Sequence, residues 1–318
     1  MADALERLRI VDFSRVLAGP LATMVLADLG AEVIKVERPG RGDDTRQWGP
    51  PWDKAGVATY FDAVNRNKTS VTLDLRSPDG AAEARRLGEL ADVLVENFRP
   101  GVMDSLGLGY DELSTSNPGL VYCSITGFGT RAGAELAGYD LLVQAVGGLM
   151  SVTGEADGPP QKVGVALVDV ICGLYAAIGV LAALRHREQS GAGQRVEIDL
   201  LSSLLAALVN QASAYTVAGE VPRRLGNAHP SIAPYELLVT GSGDLVVAVG
   251  TDAQFRALCT ALGIPGLADE QRFATNAARI AVREELRGAL EERLIERPAK
   301  EWAKELSAAG VPAGEVND

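Results

Sequence analysis

Histidine is nearly missing from this 318-residue chain: only His186 and His229 occur. Metal sites rich in His and most Ser-His-Asp arrangements therefore lack material, and no metal cofactor is expected. Cysteine is almost as scarce. Cys123, Cys172 and Cys259 have no CxxC spacing and lie in apolar or helical contexts, so they read as small buried residues. Positive charge is in deficit, and a net charge of −12 argues against general nucleic-acid binding, which needs a basic face. The opening residues hold acids and no apolar core of signal type, which makes a reducing cytoplasm the expected setting. Aromatics are only 5%. Ala, Leu, Val and Gly dominate, and apolar and polar segments alternate as in α/β proteins.

The longest apolar run, residues 163–184, contains one acid, Asp169, and no other charge. A carboxylate in apolar surroundings is costly unless hydrogen-bonded, paired or at a helix end. Three explanations compete. Asp169 caps a buried helix over residues 170–187, where its oxygens accept backbone N–H groups. Alternatively the run crosses a membrane, for which about 20 apolar residues suffice; an Asp in its first third, several glycines and ordinary soluble sequence on both sides argue against that. Or the acid is a nucleophile held at the mouth of a cleft by the same helix N-terminus. Capping and catalysis are compatible.

Along the chain, strands are expected at residues 8–13, 31–37, 69–75, 92–96, 120–126 and 195–200, with helices at 20–29, after Ser77-Pro78-Asp79, and at 201–217. This predicts a Rossmann-like parallel-sheet large domain over residues 1–220. The segment Arg15 to Pro20 has one glycine where a dinucleotide fingerprint needs three, so no nucleotide redox cofactor is expected. Residues 39–68 form a long irregular loop, of the kind that is functional or mobile. Nearby, Lys35, Arg38, Arg41, Arg46, Arg66 and Lys68 cluster where an anionic cofactor could be met. Residues 221–318 are expected to form a smaller α+β domain, with a hairpin around Gly241-Ser242-Gly243 and helices near 252–262, 280–297 and 299–309.

Several blocks in order resemble one family. They are Asp12 to Pro20, Gly30 to Glu37, Gly42-Asp43-Asp44-Thr45-Arg46, Asn65-Arg66-Asn67-Lys68, Val95-Glu96-Asn97-Phe98, Tyr122 to Gly129 and Gly138-Tyr139-Asp140. The chain resembles the class III CoA-transferases, a family that also contains acyl-CoA racemases. Residues 226–235, with His229, Pro230 and Ser231, look closest to the branch holding succinyl-CoA:glutarate CoA-transferase. The resemblance implies an enzyme that moves CoA from an acyl-CoA to a carboxylic acid acceptor, with coenzyme A as co-substrate. Asp169 matches the family's nucleophile, which passes through aspartyl anhydride and aspartyl-CoA thioester intermediates. Racemases of the family carry His where this chain has Tyr139, followed by an Asp that matches Asp140; the tyrosine speaks against racemisation.

The same resemblance implies that Val16, Arg38, Leu73, Asn97 and Phe98 line the cofactor. Some relatives have a basic residue near Ser105 and Ala137 that this chain lacks, so Arg41, Arg46 or Lys68 are expected to complete the phosphate grip. Arg15, Arg46, Trp48 and His229 are the candidates for contact with the acid substrate. Family chains form interlocked ring dimers and continue for several dozen residues past the position of Asp318, so the returning C-terminal segment is expected to be absent here. The competing readings are an acyl-CoA racemase or isomerase and a CoA-binding protein without turnover.

Overall fold

Strands form where apolar residues alternate between two covered faces. The computed structural model describes residues 4–317. Its larger unit runs to Met150 and resumes over Lys162–Pro222. It carries β1 (Arg9–Asp12), α1 (Ala18–Asp28), β2 (Glu32–Glu37), α2 (Thr59–Ala63), β3 (Lys68–Thr72), α3 (Pro78–Leu90), β4 (Val93–Glu96), α4 (Val102–Ser105) and α5 (Tyr110–Ser116). There follow β5 (Val121–Thr126), α6 (Asp140–Val146), α7 (Leu167–Ser190), β6 (Arg195–Asp199), α8 (Leu200–Ala207) and α9 (Val209–Ala218). The six strands are parallel in the order β3-β2-β1-β4-β5-β6.

Ile10, Val93, Val95 and Cys123 join α1 and α7 in one core layer, whereas Val11, Leu94 and Tyr122 join α3, α4 and α5 in the other. Both faces of the sheet are therefore dry, which is why β4 is buried along its whole length. The order of strands reverses between β1 and β4, and in such sheets ligands bind outside the carboxyl ends of the strands at that point.

Helix α7 is the apolar run that is long enough to cross a membrane. A row of residues four apart, Val168, Cys172, Ala176, Val180 and Leu184, is buried against the sheet, which accounts for much of its hydrophobicity. Its approach to α1 depends on Gly173, where a Cβ would come within 2.6 Å of the Ala18 carbonyl oxygen. Asp169 is not the cap expected from the sequence. The N-cap is Ala166, and Asp169 lies inside the first turn.

The loops after β1 and β2 are tied down by buried charge. Lys68 on β3 pairs with Asp12 at 3.1 Å and also donates to the Pro20 carbonyl at 2.8 Å. Lys35 pairs with Asp43 at 2.9 Å and donates to the Ser14 carbonyl at 3.0 Å. Glu37 accepts two bonds of 2.7 Å from Arg46, one of 2.7 Å from the Asp43 N–H and one of 2.6 Å from Ser70. Burial alone would raise Asp12, but Lys68, Lys35 and the hydroxyls of Ser14 and Thr23 outweigh it and hold the carboxyl at about 2.

The second unit comprises Ser151–Gln161 and the chain from Arg223. It holds β7 (Tyr235–Val239), β8 (Asp244–Ala248), α10 (Asp252–Ala261), α11 (Asn276–Ala281), α12 (Arg283–Leu294), α13 (Ala299–Ala308) and β9 (Ala313–Glu315), the strands forming an antiparallel sheet in the order β7-β8-β9. Its core is separate, built on Leu238, Leu245, Val247, Phe255, Leu290 and Trp302.

Three expectations need correction. The helix expected over residues 201–217 is two helices bent by 81° at Leu208, although no Gly or Pro marks the break. The helix expected over 280–297 is interrupted at Val282, whose backbone leaves the helical region at φ −126° and ψ 38°, so that α11 ends before it and α12 begins after it. Strand β9 was not expected from its short, glycine-containing sequence.

Lys68→Met removes one partner of a buried ion pair and is expected to cost about 3–5 kcal/mol, with part of the loss recovered in Asp12→Asn/Lys68→Met. Urea unfolding followed by circular dichroism measures both. The stabilisation from Asp12 is complete above its usual pKa of 3.8 and lost as the pH falls through about 2.

Candidate active site

Two loops meet at the switch point. The side-chain amide of Asn97, just past β4, accepts the Arg15 N–H at 2.8 Å and donates to the Arg15 carbonyl at 2.8 Å. Both polar ends of Asn97 are thus spent on holding the β1 loop. The latch also sets Val16 at φ 70°, a left-handed conformation that a β-branched residue adopts only under constraint, with its N–H facing the Asp43 carboxylate. The Arg15 guanidinium lies 4.5 Å from the centre of the Phe98 ring.

Arg15 and Phe98 separate two cavities and line both. One, of about 240 Å³, is walled by Val16, Leu17, the loop 125–129, Gly138, Tyr139 and Asp169. The other, of about 580 Å³, is walled by Arg38, Leu73, Leu75, Arg76, Val102 and Ser105. The two lie side by side along the carboxyl ends of the strands, with Arg15 and Phe98 as their shared wall, and are together called the groove. The Gly127 and Gly138 motifs are a fitted pair, since a Cβ on either would lie 2.3 Å from the Cα of the other. This contact brings Tyr139 and Asp140 to the start of α7.

Asp140 supplies the cap that Ala166 lacks. Its Oδ1 accepts the Val168 N–H at 2.8 Å, its Oδ2 accepts from Gln144 at 2.6 Å, and Gln144 in turn accepts the Val163 N–H at 2.9 Å. One carboxylate therefore fixes both the α7 terminus and the segment leading into it. Asp169 is raised to about 7, first by burial and then by the neighbouring negative charge of Asp140. Its carboxylate is consequently more basic than an ordinary Asp. Tyr60 shares this neighbourhood; burial and the charges of Asp169 and Asp140 raise its hydroxyl, and it packs against the cluster of Leu17, Met24 and Val64, as do Val16, Ala166 and Val170.

The structure gathers Asp169, Tyr139, Val16, Arg15, Arg38, Leu73, Asn97 and Phe98 around the groove. It places other candidates elsewhere. Arg46 is committed to Glu37 and to the Phe61 face, 3.7 Å from the ring centre, and Lys68 is buried on Asp12, so neither is free for an anion. Arg41 donates to Gln47 at 3.4 Å. Trp48 packs edge-on against Tyr60 at 5.4 Å and does not line the groove. His229 belongs to the second unit, where its Nδ1 accepts the Ser231 N–H at 3.0 Å. Sequence reasoning missed Arg76, Arg99 and Phe128; all follow a strand end, which is the signal that could have found them. Among the described residues no cluster of metal-ligating side chains occurs.

The site thus sets a buried acid of raised basicity in the wall of a cavity that Arg15, Asn97 and Arg99 also line, at the switch point of a doubly wound sheet. The chain matches the model of CoA-transferase family III over residues 5–318 and belongs to that family. It is a class III CoA-transferase. It is 46% identical to the succinate--glutarate CoA-transferase of Agrobacterium fabrum, over 98% of this chain and 80% of that one. It is 41% identical to the acetyl-CoA:oxalate CoA-transferase of Acetobacter aceti, again over 98% and 80%. A CAIB/BAIF family protein from Brucella suis has a crystal structure that superposes with a TM-score of 0.90 at 48% identity, covering 100% of this chain and 85% of that one.

Because Asp169 is neutral in the fold up to about pH 7 but ionises near 3.8 when unfolded, its charge burdens the fold at higher pH. Asp169→Asn is therefore expected to raise the melting temperature at pH 8 and to leave it unchanged near pH 4, as differential scanning calorimetry would read.

Proposed function

We propose that the enzyme moves CoA between succinyl-CoA, or a similar thioester, and a short dicarboxylate such as glutarate, with Asp169 as nucleophile. The observation that carries this is the position of Asp169 in the wall of one cavity that shares Arg15 and Phe98 with a second, lined by Arg38, Leu73 and Arg76. In this reading the nucleotide end of CoA occupies the larger cavity, with Arg38 and Arg76 facing phosphate, and the pantetheine arm passes Phe98.

An Asp169 oxygen attacks the thioester carbonyl, the C–S bond breaks, and CoA leaves as thiolate from an aspartyl anhydride. The thiolate attacks the aspartyl carbonyl, which releases the donor carboxylate and leaves an aspartyl-CoA thioester. An acceptor carboxylate attacks that thioester and expels the thiolate, giving a second anhydride. Attack of the thiolate on the acceptor's carbonyl then yields the new acyl-CoA and the free carboxylate. No net proton is consumed, and exclusion of water by Val16, Leu17 and Ile125 protects both anhydrides. Arg15, which lines the same cavity as Asp169, is the partner assigned to the distal carboxylate. Tyr139 lines the same cavity as Asp169, at the position where racemases of the family carry His, and this favours transfer over racemisation.

Incubation with succinyl-CoA, trapping with hydroxylamine or borohydride, and peptide mass spectrometry are expected to find the modification on the peptide holding Asp169 and none in Asp169→Ala. Absence of trapped product in a wild-type protein that binds CoA would overturn the assignment. As only the ionised acid attacks, kcat/KM should fall as the pH drops below about 7.

The reading includes a homodimer, of the interlocked kind its family forms, and a cytoplasmic setting supported by three free cysteines. Supporting the dimer, Leu174, Tyr175 and Ile178 on the outer face of α7 and Leu205, Val209 and Tyr215 on α8 and α9 are exposed. Such an apolar row in one unit fits a protein partner better than water. Sedimentation velocity is expected to give twice the 33.4 kDa chain mass, and Ile178→Glu/Tyr175→Glu to shift the population to monomer.

A further inference from the structure

Glu96 is a buried carboxyl that the transfer chemistry leaves unused. It ends β4 at the switch point and is 5% exposed. Its two oxygens hold different elements. Oε2 accepts the Phe98 N–H at 2.8 Å, and Oε1 accepts the hydroxyl of Ser124, its register partner on β5. The next residue, Asn97, holds the β1 loop through both polar ends of its side chain. Phe98, whose amide Glu96 fixes, stacks against Arg15, and these two residues form the divider between the cavities. The wall that the two cavities share therefore depends on the Glu96 carboxylate.

We propose that Glu96 is a positioning residue whose carboxylate form holds the Asn97-Phe98 turn in the CoA-binding geometry, so that the groove loosens its grip on CoA when Glu96 takes up a proton. This rests on the reading of the groove as the CoA site. A charged acceptor makes a stronger bond to a backbone N–H than a neutral carboxyl does, and a protonated Glu96 must also find an acceptor for its own O–H. The groups that face it are Ser124 and Tyr122 from β5, Arg195 from β6, and Asp104 from α4. A cavity of about 200 Å³, lined by Glu96, Arg99, Asp104, Tyr122 and Arg195, lies behind the turn and offers a route for the proton. Burial raises Glu96 to about 7; Asp104 adds to the rise, while Ser124, the Phe98 N–H and Arg195 oppose it. The switch therefore falls in a range that an ordinary glutamate would not reach.

The test is calorimetric titration of the full chain with dephospho-CoA, chosen because the 3′-phosphate of CoA ionises near pH 6 and would add its own slope. For the wild type the Kd is expected to rise about tenfold between pH 8 and pH 6, the size of effect that one charge-assisted bond supports. Glu96→Gln keeps an acceptor for Phe98 and a donor toward Ser124 without titrating, and its Kd should be flat over that range. Ser124→Ala removes a donor that favours the carboxylate, and the inflection should move to higher pH. The comparison is repeated in an Asp169→Asn background, where the nucleophile no longer titrates: a slope should persist with Glu96 and vanish with Glu96→Gln, and its persistence with Glu96→Gln would overturn the inference. A wild-type slope in Glu96→Gln, or a flat wild-type profile, would overturn the inference while leaving the CoA site intact. Failure of the folded wild type to bind dephospho-CoA at any of these pH values would overturn the groove reading and the inference together.

Discussion

Everything at the groove depends on buried charge around the carboxyl ends of β1 and β2, to which Lys68 reaches from the first residue of β3. A parallel sheet brings these ends side by side, and the loops leaving them must carry polar backbone through a dry layer. Asp12, Lys35, Glu37, Asp43 and Lys68 meet that need: each charge has an opposite partner and further hydrogen bonds, the condition under which burial of charge is tolerable. Lys68 reaches from β3 past Asp12 to the first turn of α1, and Lys35 holds the carbonyl of Ser14. Without these anchors the segment from Ser14 to Leu17 would have no reason to hold Val16 in a left-handed conformation at the groove wall.

The same constraint explains why a basic-looking stretch of sequence does not make a basic surface. Most of the charges that look like a phosphate site in the sequence are consumed internally; Arg38 too is paired, with Asp44 and the Gly42 carbonyl, while Arg15, Arg76 and Arg99 line the cavities. Burial and the neighbouring Arg38 lower the Arg15 guanidinium from its ordinary value, and Asp44 and Asp43 oppose that shift.

The sheet was legible because its signal is local: alternation in residues such as Ile10 and Val11, or Leu94 and Val95, is decided by burial on two faces. Asp169 was legible because a lone acid in an apolar run demands an explanation. What could not be read were choices made by tertiary partners. Nothing in Leu208-Val209 announces a bend, and nothing in the sequence of Lys68 says that its partner lies at Asp12, far away in the chain. The capping of α7 is the sharpest instance. The sequence offers Asp169 as the local cap, yet Asp140, brought in by the contact between Gly127 and Gly138, takes the helix N–H and leaves Asp169 unspent.

That exchange of roles ties stability to chemistry. Had Asp169 capped its own helix, backbone donors would have stabilised its charge and lowered its basicity. Because Asp140 does the capping, α7 keeps an ordered first turn while Asp169 faces the cleft with burial and a nearby negative charge both acting against its ionised form. In the proposed transfer, keeping water from an anhydride calls for burial, and burial makes an acid harder to ionise. A carboxylate poised near neutrality would reconcile the two demands, ionised often enough to attack and more basic than an ordinary Asp. The helix terminus is thus built around a division of labour between two acids, one bound to backbone and one kept free of it.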